Sequence, residues 1–247
     1  MPDYAIIIPA YNEEAYLADT LEATRSAMAG QLLSGELIVV DNNSSDTTAE
    51  VAKKNGADRI VFEPHNQIAR ARNAGADAVP EIEYLIFVDA DTLISGELLS
   101  LALENLQSGV IAAGGARVVM DQPVSPIVDL ITRVWNQTSA RLNFAAGSFF
   151  YTRRDAYEAG GTFDETVYAG EEIWLAKRIK RWARKKKMRF VVIADPPVIT
   201  SGRKSEWFST GQFIWQLFFI FFLPWTVRNR RFCQLWYRRP GVKNPDS

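Results

Sequence analysis

The chain has 247 residues, of which 47% are hydrophobic, and its formal net charge is −1. This is enough apolar material for one well-buried domain, or for one domain with an appendage. One cysteine, Cys233, and one histidine, His65, exclude an internal disulfide and a zinc site built from cysteine and histidine. Any metal must therefore be held by carboxylates, which favours a hard cation such as Mg²⁺ or Mn²⁺.

The lone cysteine is typical of a reducing, cytoplasmic compartment. Asp3 stands where a secretory signal would be basic, and the apolar run at 4–8 is too short for such a signal. The charge is unevenly distributed: residues 1–169 carry 11 Lys/Arg and 24 Asp/Glu, whereas residues 170–247 carry 17 and 5. The basic second part indicates an anionic partner, either substrate phosphates or a membrane surface.

Short apolar runs alternate with helical stretches over the first half of the chain. Strands are predicted at residues 5–8, 37–40, 59–62 and 84–88, and helices at 13–28, 45–54, 67–78 and 96–106. Continuous β-branched runs bounded by polar turns are typical of strands covered on both faces. This alternation predicts an α/β fold with a doubly wound, mostly parallel sheet.

The second half departs from this alternation. The sequence predicts strands at residues 110–120 and 145–152 and helices at 125–142 and 170–187. The last of these helices has acidic residues in its first turn and the basic run 185–187 in its last turn. This polarity matches the helix dipole at both ends.

Polar side chains follow three of the predicted strands at the point where each strand ends. They lie at residues 9–13, 41–46 and 89–91. Because the carboxyl ends of parallel strands share one edge of the sheet, where ligands bind, the sequence predicts a binding cleft at that edge.

Asp89 and Asp91 are the most informative pair. Residues two apart in an extended chain point the same way, and two adjacent carboxylates repel each other unless a positive charge lies between them. A divalent cation that also takes up phosphate oxygens satisfies this arrangement. The alternative is that either aspartate caps the loop or the helix that follows.

Asp41 follows an apolar strand, as does the ribose-binding acid of a dinucleotide fold. However, no Gly-x-Gly-x-x-Gly turn follows the first strand, so a dehydrogenase is disfavoured. Asp41 could instead be a turn residue, since Asn42 and Asn43 suit a turn.

Three segments together resemble glycosyltransferase family 2 in their residues, order and spacing. They are Ile7-Ile8-Pro9-Ala10-Tyr11-Asn12-Glu13-Glu14, Val39-Val40-Asp41-Asn42-Asn43-Ser44-Ser45-Asp46-Thr47-Thr48 and Phe87-Val88-Asp89-Ala90-Asp91. The likeness extends over residues 4–204. It implies a GT-A fold, with a nucleotide-binding first half and an acceptor-binding second half, and an inverting enzyme that uses nucleotide-activated sugars.

The resemblance also implies roles for single residues around the nucleotide. The nucleoside pocket would be formed by Pro9, Ala10, Tyr11 and Glu13. Within it Tyr11 flanks the base, and Asp41 contacts the base. Arg72, in a segment that resembles the family's Ala-Arg-Asn-x-Gly, lies near the nucleotide. The alternative for Arg72 is a solvated helix face.

Further implied roles concern the diphosphate. Asp91 matches the ligand of Mn²⁺ or Mg²⁺, and Asp89 lies against the ribose and the waters of the metal. Arg203 resembles a late basic residue of the family that reaches the diphosphate, a task that suits a guanidinium. The alternative is a surface charge in a Gly-Ser loop.

An inverting displacement needs one base near the acceptor hydroxyl. Gly170-Glu171-Glu172 resembles the family's Glu-Asp segment, in which the second acid is the catalytic base, so this role falls on Glu172. The sequence departs from the family pattern here, because Glu replaces Asp. Both glutamates could instead only stabilise the start of a helix.

Residues 208–247 form an aromatic and basic segment after a catalytic domain predicted at residues 1–207. The apolar run 213–225 is shorter than the roughly 20 residues that span a bilayer. Several arginines follow it, and aromatic residues beside cations are typical of membrane interfaces. One interpretation is therefore peripheral binding to the inner face of the cell membrane; packing on the catalytic domain and a homodimer contact are the alternatives.

The sequence thus predicts sugar transfer from a UDP- or GDP-sugar to an acceptor hydroxyl, lipid-linked or on a polysaccharide. Nucleotidyl transfer is an alternative, although such enzymes generally carry a Gly-rich, basic loop after the first strand, where this chain has residues 11–14. An inactive, membrane-associated nucleotide-sugar-binding protein is another, favoured only by the Glu at position 172. Nucleic acid is disfavoured as a partner, since the acidic edge of the sheet would repel a phosphate backbone.

Overall fold

The computed structural model describes residues 1–122, 126–142, 147–203 and 224–237, together with residues 207, 211 and 215. The strands in this part of the chain are β1 (Tyr4–Ala10), β2 (Gly35–Asp41), β3 (Arg59–Phe62), β4 (Tyr84–Val88), β5 (Thr92–Leu93), β6 (Ile111–Met120), β7 (Phe149–Arg153) and β8 (Arg189–Thr200). The α-helices are α1 (Leu17–Ala29), α2 (Thr48–Lys54), α3 (Ile68–Asp77), α4 (Gly96–Gln107), α5 (Pro126–Leu142), α6 (Arg154–Ala159), α7 (Glu171–Lys185) and α8 (Gln234–Tyr237). Two 3₁₀ helices, Pro224–Arg228 and Arg230–Phe232, precede α8.

The strands form one mixed sheet in the order β3-β2-β1-β4-β7-β6-β8-β5. Strands β1, β2, β3 and β4 are all parallel to one another. Strand β6 is parallel to β8. β7 runs antiparallel between β4 and β6, which joins the first half of the chain to the second. The predicted α/β fold with a doubly wound, mostly parallel sheet is confirmed.

The sheet is covered on both faces, as its continuous apolar strands predicted. Alternate residues of β1 point to opposite sides: Ile6 and Ile8 pack with α1 and α4 in one core cluster. Ala5 and Ile7 pack with α3 and α7 in the other. All four side chains are fully buried, so the two layers hold β1 and the loop that follows it in a defined position.

Helix α3 approaches the sheet closely at Gly75. A Cβ atom at this position would lie 2.4 Å from Cγ2 of Ile7 and 2.9 Å from Cγ2 of Val40. Only glycine lets the helix pack so tightly against β1 and β2. Arg72, one turn earlier on the same helix, is thereby held against the edge of the sheet.

Several predicted boundaries differ from the observed ones. The helix predicted at 13–28 begins at Leu17, because Asn12 has a left-handed φ of 52° and the Glu13 carbonyl accepts hydrogen bonds from Tyr16 and Leu17. The helix predicted at 45–54 begins at Thr48. In both places the loop after a strand is longer, which leaves more residues at the edge of the sheet.

Strand β8 was missed in the sequence, as was the short helix α6. Two consecutive prolines, Pro196 and Pro197, argue against a central strand, since proline cannot donate to a ladder. The structure accommodates them in an irregular stretch: Ala116 pairs with Ile193 and Val118 with Val198, so the intervening residues of β8 bulge out of the register.

Most of the apolar run 213–225 lies outside the described residues, as do residues 204–206, 208–210 and 238–247. Within the described part of the chain, no helix has the length and apolar character that crossing a bilayer requires.

Candidate active site

A cleft opens at the carboxyl ends of β1, β2 and β4. Seven of the predicted site residues line it: Pro9, Ala10, Tyr11, Glu13, Asp89, Asp91 and Arg203. Pro9 and Ala10 end β1, Tyr11 and Glu13 follow it, the two aspartates follow β4, and Arg203 follows β8. Their convergence has the physical cause expected from the sequence, because parallel strands deliver their following loops to a common edge.

Arg203 lies between two carboxylates of the cleft. Its Nη2 atom is 2.6 Å from Oε1 of Glu13 and 2.9 Å from Oδ2 of Asp91. All three side chains are at least nine-tenths buried. The guanidinium also stacks at 4.2 Å from the ring centroid of Tyr16. Burial alone would lower the pKa of Arg203, but the two carboxylates raise it, so the side chain is a fixed positive charge in the cleft.

The loop that carries Arg203 is tied to the end of β4. The Ser201 amide donates to the Asp91 carbonyl at 3.0 Å, and the Gly202 amide donates to Oδ1 of Asp121 at 2.9 Å. Because these bonds fix the loop, Arg203 is directed inward. A solvated surface charge in a flexible Gly-Ser loop, the alternative interpretation, does not describe its environment.

Arg72 forms a second ionic cluster beside the first, in which Arg72 and Glu171 are buried and Asp89 is partly exposed. Its Nη1 atom lies 2.7 Å from Oε1 of Glu171, and its Nη2 atom lies 2.9 Å from Oδ1 of Asp89. Nη2 also donates to the Gly147 carbonyl at 2.8 Å. Burial opposes the charge on Arg72, but Asp89, Glu171 and Glu172 raise its pKa. Each aspartate of the acidic pair is therefore bonded to a different arginine. Arg72 does not lie on a solvated helix face, which was the alternative interpretation.

Glu172 lies next to this cluster at the start of α7. A Cβ atom built on Gly147 would be 3.4 Å from Cδ of Glu172 and 3.2 Å from Nη2 of Arg72. Burial and, after it, the neighbouring Glu171 raise the pKa of the Glu172 carboxyl to about 8, against the opposing effect of Arg72. Once ionised, as the pH approaches and passes 8, a carboxylate with this pKa binds a transferred proton more strongly than an ordinary carboxylate does, which is the property of a general base.

Asp41 is buried, and its Oδ1 atom accepts a hydrogen bond from the Ser44 amide at 2.9 Å. In the structure it therefore stabilises the turn after β2, one of the two roles considered from the sequence. Its neighbour Asn42 lines the cleft.

Several residues of the site were missed in the sequence. Asn42, Asn66, Ile68, Trp236 and Tyr237 line the cleft, and Glu171 is the buried partner of Arg72. Asn42 could have been found from its place beside Asp41 at the end of a strand. The two aromatic residues come from the far end of the chain, and no local pattern indicates that they reach this cleft.

The donor set is compatible with a divalent cation shared with a substrate. Among the described residues, no group of three or more His, Cys, Asp or Glu side chains is placed to hold a metal by itself. Asp89 and Asp91 supply two carboxylates to the cleft, and Mg²⁺ is commonly bound by one or two carboxylates together with substrate phosphates and water. The residues therefore fit a metal that arrives with a phosphorylated ligand.

Comparison with known sequences is consistent with this chemistry. The family model for glycosyl transferase family 2 matches residues 5–163. A low-salt glycan biosynthesis hexosyltransferase, Agl6 of Haloferax volcanii, is 32% identical over 108 residues, which are 44% of this chain and 25% of that protein. The O-antigen chain rhamnosyltransferase WbaN of Salmonella anatum is 24% identical over 195 residues, 72% of this chain and 61% of that protein. The matches thus span a quarter to three-fifths of these relatives.

Solved structures share the fold at lower identity. TarS of S. aureus (residues 1–349) superposes with a TM-score of 0.63 and 17% identity, over 95% of this chain and 69% of that one. The mannosyltransferase PcManGT of Pyrobaculum calidifontis, solved with GDP-Man and Mn²⁺, superposes with a TM-score of 0.61 and 20% identity, over 87% and 60% of the two chains. With its matched motifs, GT-A fold and acidic cleft, the chain belongs to glycosyltransferase family 2.

Proposed function

We propose that this chain is an inverting, metal-dependent glycosyltransferase that moves a sugar from a nucleoside-diphosphate sugar to an acceptor hydroxyl. The observation that carries the proposal is the convergence of Asp89, Asp91 and Arg203 on one cleft. Two carboxylates and a buried guanidinium side by side suit a cation and a diphosphate bound together. The complexes of TarS with UDP-GlcNAc and of PcManGT with GDP-Man and Mn²⁺ support a nucleotide-sugar donor.

Asp91, with Asp89 beside it, would hold Mn²⁺ or Mg²⁺. When bound, the cation supplies Lewis-acid stabilisation of the negative charge that builds on the departing diphosphate. Arg203 lies against Asp91 at 2.9 Å, so its guanidinium is placed to bond diphosphate oxygens at the same point. Pro9, Ala10, Tyr11 and Glu13, at the end of β1 and just after it, would enclose the nucleoside.

Glu172 would act as the general base. The acceptor hydroxyl gives its proton to the Glu172 carboxylate while its oxygen bonds to the anomeric carbon. The bond from that carbon to the diphosphate breaks in the same displacement, and the configuration inverts. Arg72 orients this end of the site, because it binds Gly147 and Asp89 and lies beside Glu172.

Product analysis tests the proposal. The purified chain is incubated with Mn²⁺ and a panel of UDP- and GDP-sugars, and the released phosphate compound is identified. Release of a nucleoside diphosphate indicates glycosyl transfer, whereas release of pyrophosphate indicates nucleotidyl transfer. Nucleotide-sugar binding without any turnover would support the inactive-protein alternative.

A matched pair of variants adds a second test. Asp91→Asn should abolish metal-dependent turnover, because it removes the charge that holds the cation. Asp129→Asn serves as the control, since Asp129 is half exposed on α5 and pairs only with the surface residue Arg133 among the ion pairs observed in the described chain. Equal turnover in the two variants would contradict the metal role of Asp91.

We also propose that the enzyme works at a membrane surface. The exposed aromatic side chains Trp215 and Trp225, which are 59% and 65% exposed, support this. Ile127, Leu130 and Val134 are also exposed and share one face of α5. Flotation with anionic vesicles tests the proposal. A variant with both tryptophans changed to alanine should float less than the wild type, whereas Leu32→Ser, at another exposed apolar position, should float equally; no flotation of the wild type would refute it.

A further inference from the structure

Residues 224–237, here called the C-terminal wall, pack against residues 167–169 of the chain. Val227, Cys233 and Tyr237 are buried in a small core with Val167 and Ala169. The Tyr168 amide donates to the Val227 carbonyl at 2.6 Å. The wall is therefore part of the folded catalytic unit.

Two polar contacts fix the wall to the start of α3. The Tyr237 hydroxyl accepts a hydrogen bond from the Ile68 amide at 3.2 Å. Nη2 of Arg230 donates to Oδ1 of Asn66 at 2.5 Å, and its guanidinium lies 5.0 Å from the ring centroid of Tyr237. The wall thus covers the loop between β3 and α3.

The same loop is bonded to the turn after β2. The Asn66 side chain donates to the Asn42 carbonyl at 3.0 Å, and the Asn42 side chain donates to the His65 carbonyl at 2.6 Å. Asn42, Asn66 and the wall therefore form one continuous side of the cleft.

The strand order places this side opposite the acidic pair. The strands lie in the spatial order β3-β2-β1-β4. Asn42 and Asn66 lie in the loops after β2 and β3, whereas the acidic pair follows β4. If the diphosphate lies at the acidic pair, as the proposed function requires, the nucleoside extends across β1 toward β2 and β3. The base then arrives beside Trp236 and Tyr237, which line this side of the cleft.

We propose that Trp236 and Tyr237 complete the donor site on its base side, so that the C-terminal wall is part of the nucleotide-binding site; this rests on the proposed function. An aromatic side chain suits a nucleobase, because every base offers a π-face for stacking. Tyr237, with its hydroxyl bonded to Ile68, positions the wall. Trp236, only partly buried in the small core, provides the contact surface.

Calorimetric titration of the full chain with UDP and GDP in the presence of Mn²⁺ tests this. Trp236→Leu should weaken binding of the preferred nucleoside diphosphate about tenfold to hundredfold, the range expected for loss of one stacked aromatic ring. Trp236→Phe should retain most of the affinity. The matched control is Phe232→Ala, which alters a 40% exposed aromatic residue of the same wall and should bind as the wild type does.

Titration with inorganic pyrophosphate separates a base contact from general damage to the site. Pyrophosphate has no base, so Trp236→Leu should bind it as tightly as the wild type. Loss of pyrophosphate binding in this variant, or unchanged nucleotide affinity, would overturn the inference. If the wild type binds neither UDP nor GDP, the proposed function itself fails, which is a different result.

Discussion

Nη2 of Arg203 lies 2.9 Å from Oδ2 of Asp91, and both side chains are almost fully buried. The guanidinium therefore neutralises the same carboxylate that we propose as the metal ligand. It also holds Glu13 at 2.6 Å. Because two buried carboxylates lie close together here, the folded state depends on the positive charge of this arginine to offset their repulsion.

Replacing Arg203 with glutamine should destabilise the fold, because Glu13 and Asp91 lose this guanidinium. Breaking a buried ion pair by removal of one partner typically costs about 3–5 kcal/mol. Mn²⁺ should restore part of this loss, so it should raise the melting temperature more in Arg203→Gln than in the wild type. Thermal melts with EDTA and with Mn²⁺ measure both effects.

The control for this experiment is Arg133→Gln on α5. Arg133 pairs with Asp129 at 2.9 Å, but the two side chains are 73% and 48% exposed, and such surface pairs contribute little to stability. A variant at Arg203 that melts like this control, with or without Mn²⁺, would contradict the buried role of Arg203.

The pH dependence of turnover should report Glu172. A base must be ionised to accept a proton, and the pKa of this carboxyl is about 8 because of burial and the neighbouring Glu171. Turnover should therefore rise as the pH increases through about 8 and level off above it. Glu172→Gln should lose about 100-fold or more of the turnover while binding the nucleotide as the wild type does. A wild-type profile that is flat across this range would argue against Glu172 as the base.

Glu172 should also make the free energy of unfolding depend on pH. This energy should fall as the pH increases, whereas turnover should rise. Its folded pKa lies above the ordinary value of 4.5, so the folded chain binds more protons than the unfolded chain between these two values. Stability should then fall as the pH rises from about 4.5 to about 8. Urea denaturation should show a smaller fall in Glu172→Gln, whereas the exposed control Glu97→Gln should follow the wild type; equal pH dependence in all three proteins would contradict the raised pKa.

Gly147 should be sensitive to a single added methyl group. A Cβ atom there would lie 3.2 Å from Nη2 of Arg72 and 3.4 Å from Cδ of Glu172, so Arg72 would have to shift by a few tenths of an ångström beside Glu172. Small displacements of catalytic groups cost up to about 100-fold in rate, and we expect Gly147→Ala to lower turnover about 10- to 100-fold. Gly30→Ala, with no atom within 4 Å of the added Cβ, is the kinetic control. Turnover of Gly147→Ala equal to that of the control would show that this contact does not position the site.

The fold could be predicted wherever the pattern of a short segment determines its own secondary structure and burial. Apolar runs such as residues 37–40 and 84–88 must be covered on both faces, and helical stretches between them supply the cover. The carboxyl ends of the strands then share one edge, which is why Glu13, Asp89 and Asp91 could be placed in one cleft before any contact was known. Strand β8 was missed because its prolines conflict with a strand pattern that only the bulged pairing with β6 resolves.

The sequence alone was sufficient to establish the family, the parallel sheet and the acidic edge, since each depends on short motifs and on the geometry of a single strand. Only the tertiary structure shows which residues pair across the cleft. Arg72 pairs with Glu171 and Asp89. Arg203 pairs with Glu13 and Asp91, and Trp236 reaches the cleft from the far end of the chain. These contacts join residues far apart in sequence. Burial, which gives such contacts their electrostatic strength, exists only after the separate segments have packed together.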